Sequence, residues 1–396
     1  MLLPSLLAGC LSTPDDDLSD RVAALETTVT ELRTENESLS AELATLASAG
    51  ASADDLAELE ASLSALETSV IGLSSISGTA LITTDDSWYV EDDSGCDGGH
   101  TCVGDLEQTL AALDSYLVAS TATLTLVLEE GTHTVLRTLS IQHPSGARVL
   151  LAGETTDVTI DGSAVGSGAA VLEASNGGVL RMRDLTVTGG DSTDNGLSAQ
   201  HNGIIELDDV EVSGFVENGI FLNAGSTLEV APYSTITSTD NKRGIYAAYG
   251  SVVSAGYADA VDLSGNRFGL NLTFNSSASI VNGDVSNSES DGLTLSHNSA
   301  VSLSGSTVSE NAAHGLDVKL NSWAYLNDVT LEDNGEDGLR LEMSGAYVTS
   351  STFSSNADYD ICALERSVLY VSNLTYDGAL CVPTSYTESS DGSWMF

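Results

Sequence analysis

The chain has 396 residues, with 58 Asp and Glu against 12 Lys and Arg, and a formal net charge of −46. Phosphate binding needs clustered cations, so this charge excludes nucleic acid and disfavours direct adsorption to anionic lipid. An apolar fraction of 41% is enough for a core and excludes a disordered acidic tail, and the length fits two or three structural units.

The chain opens on "MLLPSLLAGC", a short apolar run ending Leu7-Ala8-Gly9-Cys10, followed within two residues by polar "STPDDD". This resembles the lipobox of bacterial lipoproteins: an apolar segment for translocation, then small residues that admit a peptidase. The resemblance implies a signal peptide over residues 1–10, a lipid on Cys10 and attachment to a membrane through that lipid. It implies an exported protein at the outer membrane or cell surface. The competing readings are a plain cleaved signal peptide and an ordinary apolar N-terminus.

After an acidic linker, residues 11–17, the spacing predicts a coiled-coil stalk over 18–74 in two segments. Leu18, Leu25, Leu32, Leu39 and Leu46 repeat by seven, and Val22, Val29, Asn36 and Leu43 fill the other apolar heptad position. A single buried-position Asn fixes register and favours a parallel dimer, with a trimer close behind. Arg21 and Glu26 are placed to pair between parallel chains. The pattern breaks at "ASAGASADD" and resumes with Leu56, Leu59, Leu63, Leu66, Val70 and Leu73. A hairpin about Gly50, or packing on the downstream domain, are the alternatives to self-association. A second linker is expected over 75–87, before a domain over 88–396.

Four further cysteines follow. In an exported chain this even count predicts two disulfides, Cys96–Cys102 and Cys362–Cys381. A metal site with His100 has poor ligand spacing, and no metal is expected.

Beyond residue 190 a phrase returns. Gly followed by Leu or Ile occurs at Gly196, Gly219, Gly244, Gly269, Gly292, Gly315 and Gly338, and Asp360-Ile361 continues the series. The spacings are 23, 25, 25, 23, 23, 23 and 22 residues, the signature of a solenoid. Leu316, Val318 and Leu320 alternate with Asp317 and Lys319, and Leu339, Leu341 and Met343 with Arg340 and Glu342. A period of two means short strands with one face inside. Each copy is then one circuit of strands and turns, stacked in parallel on the next. Asn202, Asn275, Asn298 and Asn321, six residues after the glycine, are expected to form an amide ladder at a turn. The glycines are expected where the chain turns sharply.

From Trp88 onward the chain resembles the right-handed parallel β-helix families, with the pectin-lyase-like fold. The fold class expected is all-β, a right-handed parallel β-helix with an N-terminal capping helix. Leu106, Leu110, Leu113 and Leu117 share one helical face, and Asp105 with Gln108 makes an N-terminal cap. The period predicts about eleven coils.

Families with this fold include lyases, glycosidases, epimerases, tailspikes and non-enzymatic adhesins, so the fold does not choose a function. Polygalacturonase, pectate lyase and alginate epimerase motifs are missing, so no residue carries over. Two local sets remain. Asp317, Lys319, Arg340 and Glu342 fall on outward positions of adjacent coils, Asp317 beside Arg340 and Lys319 beside Glu342. They offer a base and cations for lyase chemistry, or simply cross-strand ion pairs. Phe221 and Tyr246 occupy equivalent outward positions, with Lys242 and Arg243 adjacent as donors for an anionic glycan. Tyr249, His201 and His297 fall by alternation at inward positions. Asp-rich turns could hold Ca²⁺, but there is no calcium-repeat signature and no cofactor is expected. The reading favours a lipid-anchored binding or structural module, for polysaccharide or another cell surface, over a polysaccharide lyase or glycoside hydrolase, and the lipobox disfavours a third reading, a tailspike-like fibre component.

Overall fold

The computed structural model describes residues 80–90, 101–102, 105–113, 116–119, 121–141, 146–381, 387–388 and 394–395. Cys10, the linker 11–17, the stalk 18–74 and the Cys96–Cys102 pairing lie outside the described residues. Among the described residues no helix is long and apolar enough to cross a membrane.

Two units are present. In the first, Ala80–Ile82 pairs in parallel with Tyr116–Val118. Leu117, expected on a helix face, sits on this strand. Residues 80–82, read from sequence as linker, are strand as well.

The second unit contains the solenoid. Its α-helix Leu106–Leu113 starts where Asp105 Oδ1 accepts the Gln108 backbone N–H at 2.7 Å, the expected cap. Leu106, Thr109 and Leu113 are buried. Glu107 fastens the helix to the chain beyond it through Arg137 Nε (3.0 Å) and the Leu136 N–H (3.1 Å).

The repeat builds a parallel sheet of 11 strands from Leu139–Ile141 to Leu380–Cys381. A second set of strands completes each circuit. In the coil of Gly315 they are Trp323–Asn327 and Thr330–Glu332. Like residues stand in columns: Leu293 pairs with Leu316, Leu316 with Leu339, and Leu339 with Ile361. These four are fully buried. The column exists because every circuit buries the same position.

The repeating glycines have a different cause from the one expected. Gly292, Gly315 and Gly338 do not adopt positive φ. A β-carbon on Gly315 would lie 2.7 Å from the Gly338 carbonyl and 2.8 Å from Asn334 Nδ2. The same clash recurs at Gly292 and Gly338. Close approach of the next coil, not a sharp turn, excludes a side chain.

The asparagine ladder also lies elsewhere. Asn202, Asn275, Asn298 and Asn321 are exposed, with φ of 61–63°. They serve a corner in the left-handed conformation, which Asn tolerates well. The buried ladder is made by the asparagines just before the glycines. Asn241 Oδ1 accepts the Phe215 N–H (2.9 Å), and Asn266 Oδ1 accepts the Asn241 N–H (2.9 Å). Asn311 Nδ2 donates to Asn334 Oδ1, and Asn334 Nδ2 to Asn356 Oδ1, both at 2.9 Å. Asp360, which stands where the series would place glycine, ends the ladder by accepting from Asn356 Nδ2 (2.9 Å) and from the Gly378 N–H (2.6 Å).

The corner after the 11-stranded sheet overturns three further expectations. Tyr249, His201 and His297 are exposed, not inward. Each has φ between 52° and 57°, and so do Phe274 and Leu320 at the same position. A left-handed residue rotates the side chain out of the strand's alternation, so parity counted along the strand fails one residue past its end. The conformation costs of order 1 kcal/mol or more for each non-glycine residue and is imposed by the stacked coils.

At the other end Cys362 and Cys381 form the expected disulfide. There Trp394–Met395 pairs antiparallel with Val368–Ser372, which terminates the parallel ladder.

Candidate functional site: the outer face of the 11-stranded sheet

Members of both sets singled out above share one column on the outer face of this sheet: Phe221 and Tyr246 from one, Asp317 and Arg340 from the other. Cα pairing runs Ser198, Phe221, Tyr246, Asn271, Thr294, Asp317, Arg340. Three rungs, roughly 14 Å, separate Tyr246 from Asp317. One end of this face is aromatic and amidic and the other is charged.

At the aromatic end the Phe221 and Tyr246 rings stack, with centroids 5.6 Å apart and planes 28° from parallel. The Arg243 guanidinium lies 4.9 Å from the Tyr246 centroid. The expected role of Lys242 and Arg243 needs correction. Lys242 Nζ donates to both oxygens of Glu217 (2.6 and 2.8 Å), and Arg243 Nη1 donates to Glu217 Oε2 (3.1 Å). The Lys242 hydrogen bond, partly opposed by burial, holds the Glu217 carboxyl below its ordinary range. The one Glu217 carboxylate offsets one of these two positive charges and turns both side chains toward itself, which reduces what they offer an anionic ligand.

Seven buried side-chain polar atoms lack a partner among the described residues, and four belong to this face. They are Asn223 Oδ1, Arg243 Nε, Asn271 Oδ1 and Asp317 Oδ1. Buried polar groups are nearly always paired, so orphans gathered on one face mark unusual polarity there.

At the charged end, Asp317 faces Arg340 and Lys319 faces Glu342 across the rungs, as expected. The ion pairs nevertheless run along the strands. Lys319 Nζ bonds Asp317 Oδ2, and Arg340 Nη2 lies 3.4 Å from Glu342 Oε2. Residues two apart share a face about 7 Å apart, and a long cation folds back to its strand neighbour. Asp317 is only 3% exposed, which corrects its reading as an open outward carboxylate. Lys319 and Arg340 are the accessible cations, with about a third of each side chain exposed.

Three residues the sequence reading missed complete this end: Asp291, His314 and Asp337. Each precedes a repeat glycine. The glycine interrupts the alternation, so counting by two places these residues wrongly. Their signal was a titratable residue at one offset in three successive copies. His314 Nδ1 accepts the Asp337 N–H (3.1 Å), which assigns the ring hydrogen to Nε2 and directs it at Glu336 Oε2 (2.9 Å). Arg340 Nη1, 3.0 Å from that nitrogen, is then a close approach and not a second hydrogen bond. Asp291 accepts the His314 N–H (3.1 Å) and lies near Thr294 Oγ1 (3.3 Å).

Burial raises the Asp291 carboxyl above its ordinary value, against the His314 hydrogen bond, and the Asp317 charge adds to the rise. Burial likewise raises Asp337. A carboxyl raised by folding keeps its proton longer in the native chain than in the unfolded one. The stability it contributes is full at low pH and falls as pH rises above the ordinary value of 3.8. Asp291→Asn is therefore expected to match the parent near pH 4 and to exceed it increasingly toward pH 7, in urea midpoints. A variant less stable than the parent at pH 7 contradicts the assignment.

A cleft of about 320 Å³ lies outside this sheet, bordered by Arg181, Arg183, Glu206, Asp208 and Glu229. Its arginines are already paired, Arg181 Nε with Glu206 Oε2 (2.7 Å) and Arg183 Nε with Asp184 Oδ2 (3.4 Å). Among the described residues no group of three or more His, Cys, Asp or Glu is placed to hold a metal ion.

Residues 195–357 match the family described as right handed beta helix region. With the stacked parallel coils, this gives the repeat region the fold of a right-handed parallel β-helix. Three solved structures are similar to it. One is the A-module of the Azotobacter vinelandii mannuronan C-5 epimerase AlgE4, at 14% identity, covering 75% of this chain and 98% of that one, with a TM-score of 0.45. The periplasmic alginate epimerase AlgG gives 14%, 75%, 76% and 0.42 in the same order. Pectate lyase Pel9A gives 12%, 76%, 78% and 0.34. These likenesses carry no residue correspondence. A search of curated proteins returned no match.

Proposed function

We propose that this β-helix is a polysaccharide-binding module that takes a glycan along the outer face of its 11-stranded sheet. The observation that carries the reading is the stacked Phe221–Tyr246 pair, flanked by the half-buried side chains of Asn223 and Asn271. A sugar packs its C–H groups against the exposed edges of the stacked pair, and its hydroxyls meet the polar side chains beside it. The net charge of −46, with Lys242 and Arg243 engaged by Glu217, favours a neutral glycan over a polyanion. In this reading Cys10 bears the lipid that holds the exported chain at the outer membrane or cell surface. The stalk 18–74 joins two or three copies and lifts the β-helix clear of the membrane.

A second reading, a polysaccharide lyase or glycoside hydrolase on the same face, is favoured by the charged end. Asp317, Lys319, Arg340, Glu342, Asp291, His314 and Asp337 gather there, with carboxyls displaced by burial. A glycan array followed by product analysis separates the two. Binding of neutral glycans without new reducing ends or unsaturated products is the expected result. Turnover that disappears in Lys319→Ala moves the assignment to the second reading, and absence of binding to any glycan overturns both.

A further inference from the structure

At the corner that follows the 11-stranded sheet, successive coils place His201, Ala224, Tyr249, Phe274 and His297 at one position, all with φ of 52–57°. The rings stack in file. Tyr249 and Phe274 have centroids 4.8 Å apart with planes 2° from parallel, and Phe274 and His297 are 4.5 Å apart at 26°. Rings stacked this way cover each other's faces and show only edges to solvent. The file stops at Ala224, so the Tyr249 face on that side has no ring against it. Tyr249 is 59% exposed, against 37% for Phe274.

The surroundings of that face are small or amidic. The neighbouring corner residues are Gly225 and Gly250, and a β-carbon on Gly250 would meet nothing within 4 Å. The Asn202 carboxamide overhangs Gly225, its Oδ1 2.7 Å from where a β-carbon would sit. From His201 to Tyr249 is two coil steps, roughly 10 Å, twice the ring-to-ring step of the file. The gap therefore has the height of one flat ring.

We propose that the gap at Ala224 is a second glycan contact, in which one pyranose ring of a neutral polysaccharide continues the aromatic file on the free face of Tyr249. The C–H face of the sugar lies on the phenol, and its rim hydroxyls reach the Asn202 carboxamide. The charge of −46 opposes a polyanion. A left-handed backbone that costs free energy for large side chains holds the rings outward. The site depends on the reading above for its ligand class and not for its residues, since Tyr246 lies on the sheet and Tyr249 on the corner.

The test is titration calorimetry of neutral β-linked gluco- and manno-hexaoses, with polygalacturonate as the anionic probe, against the parent and three variants. Ala224→Tyr adds the missing ring in the same conformation. It is expected to keep the thermal midpoint and to weaken hexaose binding about tenfold. Tyr249→Ala is expected to weaken it similarly, and Tyr246→Ala reports separately on the sheet face. If Ala224→Tyr does not fold, Ala224→Leu fills the same gap without a ring. Loss in Tyr246→Ala with unchanged affinity in the Ala224 and Tyr249 variants overturns the corner site and leaves the sheet-face reading standing. Binding of polygalacturonate in preference to the hexaoses overturns the ligand class. Loss in the corner variants with none in Tyr246→Ala supports the corner and overturns the sheet face.

Discussion

Asn334→Ala is expected to lower stability by about 2–4 kcal/mol, the cost of leaving two or more buried polar groups unpaired. Asn334 is 1% exposed, and its amide is bonded on both sides. Its Oδ1 accepts from Asn311 Nδ2 (2.9 Å) and from the Asn311 N–H (3.3 Å). Its Nδ2 donates to Asn356 Oδ1 (2.9 Å) and to the Val308 carbonyl (3.2 Å). Alanine removes all four and cannot admit water without opening the stack. Because the ladder passes through several coils, the loss spreads to Asn311 and Asn356. The comparison is Asn298→Ala, at an exposed corner, which should cost about 1 kcal/mol or less. Urea midpoints of the two variants decide this. Equal effects would mean that the buried ladder is not what ties the coils together.

Gly315→Ala is expected to cost about 1–3 kcal/mol through overpacking. The added carbon would lie 2.7 Å from the Gly338 carbonyl and 2.8 Å from Asn334 Nδ2. Neither can retreat, because the carbonyl belongs to the backbone of the next coil and the amide is held by the ladder just described. The strain therefore separates two coils or bends them. Gly166→Ala is the control: a β-carbon there meets nothing within 4 Å and its φ is not positive. That change should be neutral or slightly stabilising, since alanine restricts the unfolded chain. A Gly315→Ala midpoint as high as that of Gly166→Ala would contradict the close-approach explanation.

The architecture was legible because each circuit solves the same packing problem. Leu316, Leu339 and Ile361 had to be apolar together, so their spacing carried the fold. The shared offset of two residues from glycine also placed Phe221, Tyr246, Asp317 and Arg340 in one column, a signal present in the spacing itself. What the pattern could not carry was anything set by backbone conformation at a corner. Tyr249, His201 and His297 follow strand parity in the sequence and leave it in the structure, because left-handed residues reset the direction of the side chain. Asp291, His314 and Asp337 were hidden for the same kind of reason, at the glycine that interrupts the alternation. The partner choices of Lys319 and Lys242 depended on reach. Cα neighbours across a rung were correctly inferred, yet Lys319 bonds along its own strand and Lys242 bonds Glu217.

The functional account rests on a glycan lying against Tyr246. A crystal structure of the protein soaked with the neutral hexaose of highest affinity tests it most directly. Sugar density over the Phe221–Tyr246 rings, with hydroxyls at Asn223 or Asn271, is the predicted result. Density confined to the Arg181–Glu206 cleft, or to any surface off the 11-stranded sheet and its corner, would contradict it.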